Sequence, residues 1–367
     1  STGPRQSGQV GMQTQSLPRT TKAAILTELR TPLVVGSIRL PEELDVGQVL
    51  VQVHFSGICG SQLGEINGAK GTDPYLPHLL GHEGSATVLH VGPGVSHLAP
   101  GDRVVLHWRK GKGIESRTPT YEWNGREINA GWVTTFNEYA VVSENRCTPI
   151  PQDLDLKVAA LFGCAVTTGF GVVENNAEVR AGESVVVYGS GGVGLNVVQA
   201  AALHSAHPII GVDLHRNRLD LAVRMGATHV INGGSGDVEG QISEIVGSAG
   251  VDVFIDNTGV AAVVELGYRI TNPQGRVVLV GVSDHGQEVS ISPLPLHFGK
   301  TLTGSHGGES SPDRDIPRIL GLYGADKVRF RDLVDETVSL DGINEAIERM
   351  RSGALSGRCM VFLSEAQ

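Results

Sequence analysis

A glycine loop set between an apolar run and a helix-compatible stretch constrains this chain more than any other feature. Ser184-Val185-Val186-Val187-Tyr188 is short and apolar, as a strand buried on both faces should be. Gly189-Ser190-Gly191-Gly192-Val193-Gly194 follows, and Leu195 to Leu203 then reads as helix. The string G-x-G-x-x-G is weak alone; a strand before it and a helix after it give it meaning. The glycines allow a tight turn and let the backbone approach a pyrophosphate, and the helix N-terminus supplies N–H donors. Asp213 closes the next apolar run, Pro208 to Asp213. It stands roughly 20 residues on, where a carboxylate accepts from the ribose hydroxyls of a dinucleotide and repels a 2′-phosphate. NAD is therefore favoured over NADP, although Arg218 nearby offers a cation that tolerates phosphate.

The alternation continues. Arg216 to Met225 reads as helix, His229 to Ile231 as strand, Asp237 to Val246 as helix and Val251 to Ile255 as strand. Ala261 to Ile270 and Gly275 to Val280 add a further helix and strand. Such alternation predicts a doubly wound parallel sheet of the Rossmann kind. Upstream the texture differs. Val49 to His54, Glu83 to Val91 and Asp102 to Leu106 read as strands, broken at Gly92-Pro93-Gly94 and Ala99-Pro100-Gly101-Asp102. Short strands with Gly/Pro turns predict a distorted β-barrel. Past about His306, two helical stretches (Ile316 to Tyr323, Ile343 to Met350) and a strand (Arg358 to Leu363) are too few to bury a core. They are expected to return to the first domain. The expected division is a flexible polar tail at 1–20, a catalytic domain at 21–168 and 306–367, and a dinucleotide domain at 169–305.

Three side chains in glycine-rich settings carry the chemistry. Cys59 lies in Gly57-Ile58-Cys59-Gly60-Ser61, His82 in Gly81-His82-Glu83 and Cys164 in Phe162-Gly163-Cys164-Ala165. Two thiolates and one imidazole make a zinc site with one position left open for a reacting ligand. No close Cys pair suggests a structural site, and only a folded domain can unite ligands so far apart. Cys147 and Cys359 lack such surroundings and read as small core residues. Glu83 follows the histidine directly; it reads either as a transient metal ligand or as half of a salt bridge. Ser61, two residues after Cys59, can donate and accept a proton beside the metal.

Composition excludes some alternatives. Lys and Arg number 29 against 39 Asp and Glu, a net charge of −10 that argues against a nucleic-acid partner. No apolar run is long enough for a membrane span. Four isolated cysteines in 367 residues suggest a reducing compartment, hence the cytoplasm.

With these residues in hand, the chain resembles the zinc-dependent medium-chain alcohol dehydrogenases, over about Lys22 to Leu363. The resemblance rests on Cys59 with Ser61, on Gly81-His82-Glu83, on Gly101-Asp102-Arg103-Val104 and on Phe162 to Gly169. The loop Gly189 to Gly194 with Asp213, and Val280-Gly281-Val282, add to it. It implies a GroES-like catalytic domain joined to the Rossmann domain, and zinc on Cys59, His82 and Cys164. Ser61 would relay the proton. Gly189, Gly191, Gly192, Val193, Gly194, Asp213 and Arg218 would hold the dinucleotide, with Thr168, Val280 and Val282 at the nicotinamide and Arg358 at the pyrophosphate. Trp108 would form an aromatic wall of the substrate pocket. A homodimer acting on a small-molecule alcohol, aldehyde or ketone is implied as well.

The chain departs from the family in places. His107 to Gly131 has no Cys, where many relatives bind a structural zinc. One zinc per chain is therefore expected, with that lobe held by side-chain packing or mobile. Gln62 stands where many relatives have Asp; its amide oxygen is expected to accept from the metal-binding histidine. Gly64 replaces a histidine that ends the relay in some relatives, and Ala86 replaces a glycine. Ala130 and Gly131 replace bulkier pocket residues. With His107, Arg109, Lys110 and Lys112 they suggest a roomy polar mouth for a larger hydroxylated, anionic or sugar-like substrate, unless the basic cluster is only a solvated loop. Two rivals stay open: a zinc-free quinone or enone reductase of the same fold, and a non-enzymatic NAD or metal sensor.

Overall fold

The computed structural model describes residues 17–366. Most of the expected tail, 1–16, lies outside the described residues, and Thr20 already opens the first strand.

The first half runs β1 (Thr20–Leu26), β2 (Val34–Arg39), β3 (Gln48–Gly57), α1 (Gly60–Asn67), β4 (His78–Leu79), β5 (Glu83–Val91), β6 (Arg103–His107), β7 (Thr120–Trp123), β8 (Arg126–Asn129), β9 (Tyr139–Ser143) and β10 (Cys147–Pro149). Strands β1, β2, β7, β8 and β4 close into a small barrel. β3 is buried along nearly its whole length because it sits inside a second sheet, between β5 and a strand from the far C-terminus. β9 also pairs with β3.

The lobe from His107 to Gly131 is held by side-chain packing, as one of the two expectations had it, and by strand pairing as well. It supplies β7 and β8 to the barrel, with Tyr121 and Ile128 buried inside. Its entry is pinned by the buried Glu144 carboxylate, which accepts the N–H groups of Ser96, His97 and Ile114.

Two short helices, α2 (Leu156–Leu161) and α3 (Ala165–Gly171), lead into the second half. There β11 (Val185–Tyr188), α4 (Gly192–Leu203), β12 (Ile209–Asp213), α5 (Arg216–Met225), β13 (His229–Asn232), α6 (Val238–Val246), β14 (Val251–Asp256), α7 (Ala261–Ile270), β15 (Thr271–Leu279) and β16 (Thr301–Gly304) alternate as the apolar runs predict. The all-parallel sheet has the order β13-β12-β11-β14-β15-β16. Strand order reverses between β11 and β14, so the ligand crevice opens at their C-terminal ends, where the glycine loop leaves. Gly169 lets α3 press on α4; a Cβ there would stand 2.5 Å from the Cβ of Asn196.

The remainder is α8 (Pro312–Gly324), β17 (Val334–Ser339), α9 (Ile343–Arg351) and β18 (Arg358–Phe362). β18 pairs antiparallel with β3, and Ile343, Ile347, Cys359 and Val361 share a core with Val51, Val53 and Ile58. α8 goes elsewhere: Ile316 and Ile319 pack with the β11–α4 core.

Candidate metal centre and dinucleotide crevice

Each metal-capable side chain sits at the start of an element. Cys59 is the N-cap of α1, Cys164 the N-cap of α3, and His82 immediately precedes β5. Glycines make these approaches possible. Gly81 has φ +91°, and a Cβ on Gly163 would lie 2.2 Å from the Leu106 carbonyl oxygen and 2.6 Å from the Glu83 Cα.

The donor atoms of Cys59, His82 and Cys164 all lie within 4.8 Å of one another, and the two sulfurs are 3.9 Å apart. Tetrahedral zinc with thiolates places its sulfurs about 3.8 Å apart. His82 Nε2 is buried and has no hydrogen-bond partner among the described residues. Both observations fit a metal held by these three. Electrostatics favour the thiolate form at Cys59 and oppose it at Cys164. The Cys164 thiol hydrogen-bonds to Cys59, drawing Cys59 well below the usual thiol range and pushing Cys164 well above it. Burial opposes ionisation of both, while the Arg358 charge favours it.

Gln62 does not act as expected. Its amide oxygen accepts the Cys59 N–H at 2.7 Å, and its amide nitrogen faces His82 Nδ1 at 2.5 Å. The oxygen is taken because the first N–H groups of a helix have no carbonyl partner inside it.

Glu83 and Arg358 form a wholly buried ion pair, Oε1 to Nε at 2.6 Å, with the second oxygen accepting from Arg358 Nη2 and Ala165 N. The Glu83 carboxylate is thus committed to the salt-bridge role and is not among the converging donor atoms. Burial raises the Glu83 pKa even against the charge of Arg358. Arg358 also reaches the glycine loop: a Cβ on Gly192 would meet Arg358 Nη1 at 2.7 Å. One guanidinium therefore connects the metal centre with the dinucleotide crevice.

In that crevice Gly189 has φ +92°, and Gly194 packs so closely that a Cβ would lie 1.9 Å from the Gly189 carbonyl. Gly191 faces open space, and Val193 is half-buried at the head of α4. Asp213 is buried; its oxygens accept from Ser190 N at 2.8 Å and His215 N at 2.9 Å. Arg218 stands 3.8 Å from the same carboxylate and donates to the Leu355 carbonyl. Thr168 is buried on α3 against Gly308, Val280 is half-buried and Val282 is exposed.

Around the metal centre, Ser61 is exposed in the first turn of α1. The Trp108 ring lies 6.4 Å from the His82 ring and meets His306 edge-on at 4.8 Å. His306 is not marked by the sequence, because nothing local identifies a lone histidine 198 positions from Trp108 as the neighbour of that ring in space. Arg109 is held there by the carbonyls of Ser310 and His306. Ala130 packs against the barrel core and Gly131 is exposed. His107 does not line a polar mouth. It is buried between the Arg109 carbonyl and Thr148 Oγ1, and burial pulls its pKa down to about 3, so it is a neutral structural group.

Comparison with known proteins agrees with this geometry. Residues 45–152 match the alcohol dehydrogenase GroES-like domain and residues 192–323 the zinc-binding dehydrogenase family. The S-(hydroxymethyl)glutathione dehydrogenase of Paracoccus denitrificans is 31% identical, over 91% of this chain and 97% of that one. The class-3 alcohol dehydrogenase of Cereibacter sphaeroides is 30% identical, over 93% and 100%. Among solved structures, benzyl alcohol dehydrogenase from Acinetobacter calcoaceticus superposes with a TM-score of 0.84 at 27% identity, covering 95% of this chain and all of that one. The chain belongs to the zinc-type medium-chain alcohol dehydrogenase family.

Proposed function

We propose that this family member oxidises an alcohol to its carbonyl compound, or runs the reverse reaction, with NAD as hydride carrier and one zinc ion per chain. The observation that carries the reading is the convergence of Cys59, His82 and Cys164 beside a dinucleotide loop, with Arg358 reaching both. Zinc held by those three side chains would supply Lewis-acid polarisation of the alcohol oxygen. NAD lying along Gly189 to Gly194 would supply the hydride acceptor.

The chain's own residues do the rest. Ser61, in the first turn after Cys59, takes up the hydroxyl proton. The buried Asp213 accepts from the ribose hydroxyls and disfavours a 2′-phosphate. Thr168, Val280 and Val282 border the nicotinamide, and Arg358 offers its charge to the pyrophosphate. Trp108 walls the substrate side. A larger hydroxylated or anionic substrate is supported by Arg109, whose guanidinium rests on backbone carbonyls and has no carboxylate within salt-bridge distance among the described residues.

We further read the assembly as a homodimer. β16 is an edge strand with exposed residues, and Leu294, Leu296 and Phe298 are exposed just before it. All four cysteines are buried and unpaired, in keeping with a reducing cytoplasm. No helix among the described residues is long and apolar enough to cross a membrane.

The test is elemental mass spectrometry of washed protein, then an alcohol screen with NAD before and after a strong chelator. One zinc per chain, and turnover lost on chelation and restored by zinc, is the expected result. Two zinc ions would place a second site in the β7–β8 lobe. No zinc in protein that still binds NAD would move the reading to the zinc-free reductase or the sensor.

A further inference from the structure

Glu65 is a carboxylate that nothing described so far employs. It lies on α1, four residues after Ser61. Residues four apart stack on one face of a helix. The next positions round that helix, Gln62 and Ile66, are the buried ones, and the Gln62 amide touches His82. Glu65 therefore stands at the border between the face turned to His82 and the face open at Ser61. At Gly64 an added Cβ would meet only the Ala69 Cβ, at 3.5 Å, so no side chain intervenes from there.

Glu65 is half-buried, and its side chain has no hydrogen bond or ion pair with any described residue. Burial raises its pKa. The charges facing it are His78, His82 and Lys70, which favour ionisation, and Asp73, which opposes it. His78 is itself already engaged by Asp73 at 2.8 Å.

We propose that Glu65 is the base that receives the alcohol proton through Ser61. The proposal rests on the dehydrogenase reading above. As the alcohol O–H bond breaks, the Ser61 oxygen takes that proton and passes its own to the Glu65 carboxylate. The C–H bond breaks with its electron pair, and the hydride goes to the nicotinamide dinucleotide as oxidant. The products are a carbonyl compound, the reduced dinucleotide and a protonated Glu65. Ser61 and Glu65 are not in direct hydrogen bond, so one water or a rotamer change bridges them.

The first test needs no turnover. Infrared titration of the metal-free protein should show carboxylic-acid absorption persisting above the ordinary glutamate range, one component of which is lost in Glu65→Gln while that of Glu83 remains. If the two difference spectra match, the proposal fails, whatever the enzyme does. In the zinc-loaded enzyme, Glu65→Gln should lower kcat about 10²-fold and abolish the acid-side fall of the pH profile. NAD affinity and zinc content should not change. Placing a histidine at the neighbouring position (Gly64→His with Glu65→Gln) should restore turnover, with an acid limb near the histidine range. Wild-type kcat and profile in Glu65→Gln, or a loss that the added histidine leaves untouched, would overturn the assignment. A wild-type protein that turns over no alcohol but shows that component would instead count against the dehydrogenase reading.

Discussion

Arg358→Met removes one partner of the most deeply buried ion pair among the described residues. The side chains are 5% and 0% exposed and 2.6 Å apart. Methionine keeps much of the stem volume, so the loss is mainly of charge. Stranding one ion of a buried pair costs about 3–5 kcal/mol. The carboxyl can avoid part of this by taking a proton, and that makes the cost depend on pH. Burial already raises the Glu83 pKa with Arg358 present, and without the guanidinium it rises further. A carboxyl whose folded pKa exceeds its unfolded value favours the fold while protonated. That advantage is complete below the unfolded value, about 4.3, and disappears as pH climbs through the folded value. The deficit of Arg358→Met should therefore be smallest at the acid end and grow as pH rises, by at most about 1.4 kcal/mol per pH unit. Urea unfolding at several pH values, followed by tryptophan fluorescence, measures it. Glu83→Gln with Arg358→Met should recover most of the loss at the alkaline end. A deficit that is constant with pH, or below about 1 kcal/mol throughout, would mean that packing and not charge holds this corner.

Two further outcomes follow from the same geometry. Asp213→Ala should weaken NAD binding by about 10–100-fold, as expected for hydrogen bonds to a charged group, while NADP binding, helped by Arg218 only 3.8 Å away, should hold or improve; cofactor titrations by fluorescence quenching would show this, and equal losses for both would refute it. Gly163→Ala puts a methyl 2.2 Å from the Leu106 carbonyl and must displace the backbone that presents Cys164; zinc content should fall well below one per chain with about 1–3 kcal/mol of stability, and full zinc occupancy would contradict the stated role of that glycine.

The parallel sheet was legible because its signals are local. Apolar runs three to six residues long, separated by helix-compatible stretches, mark β11 to β15 and α4 to α7, with Arg216–Met225 and Ala261–Ile270 matching to the residue. β16 was missed because Thr301–Gly304 is short and mostly exposed at the sheet edge. The barrel was harder. β7 and β8 are polar four-residue strands whose place depends on partners far away in sequence. In α1 the amphipathic signal is weak, and its cap is a cysteine whose sequence neighbours suggest a loop.

The site divides along the same line. Residue types and their glycine settings were enough to nominate Cys59, His82, Cys164 and the Gly189 loop, since close approach by backbone demands glycine and zinc demands sulfur and imidazole. What each neighbouring polar group does depended on which partner reached it first. Glu83 is bound to an arginine 275 residues away, the Gln62 oxygen is spent on a helix N-terminus, and His107 is enclosed with Thr148. Glu65 is marked only by its place beside Ser61 on α1 and by the lack of a partner among the described residues, which no pattern along a chain expresses. The sequence by itself determined the class of sheet and the metal donors, because both follow from local periodicity and the chemistry of single residues. The tertiary structure decided the partners of every buried charge, because desolvation and Coulomb energy depend on distances in space that the chain sets only once it has folded.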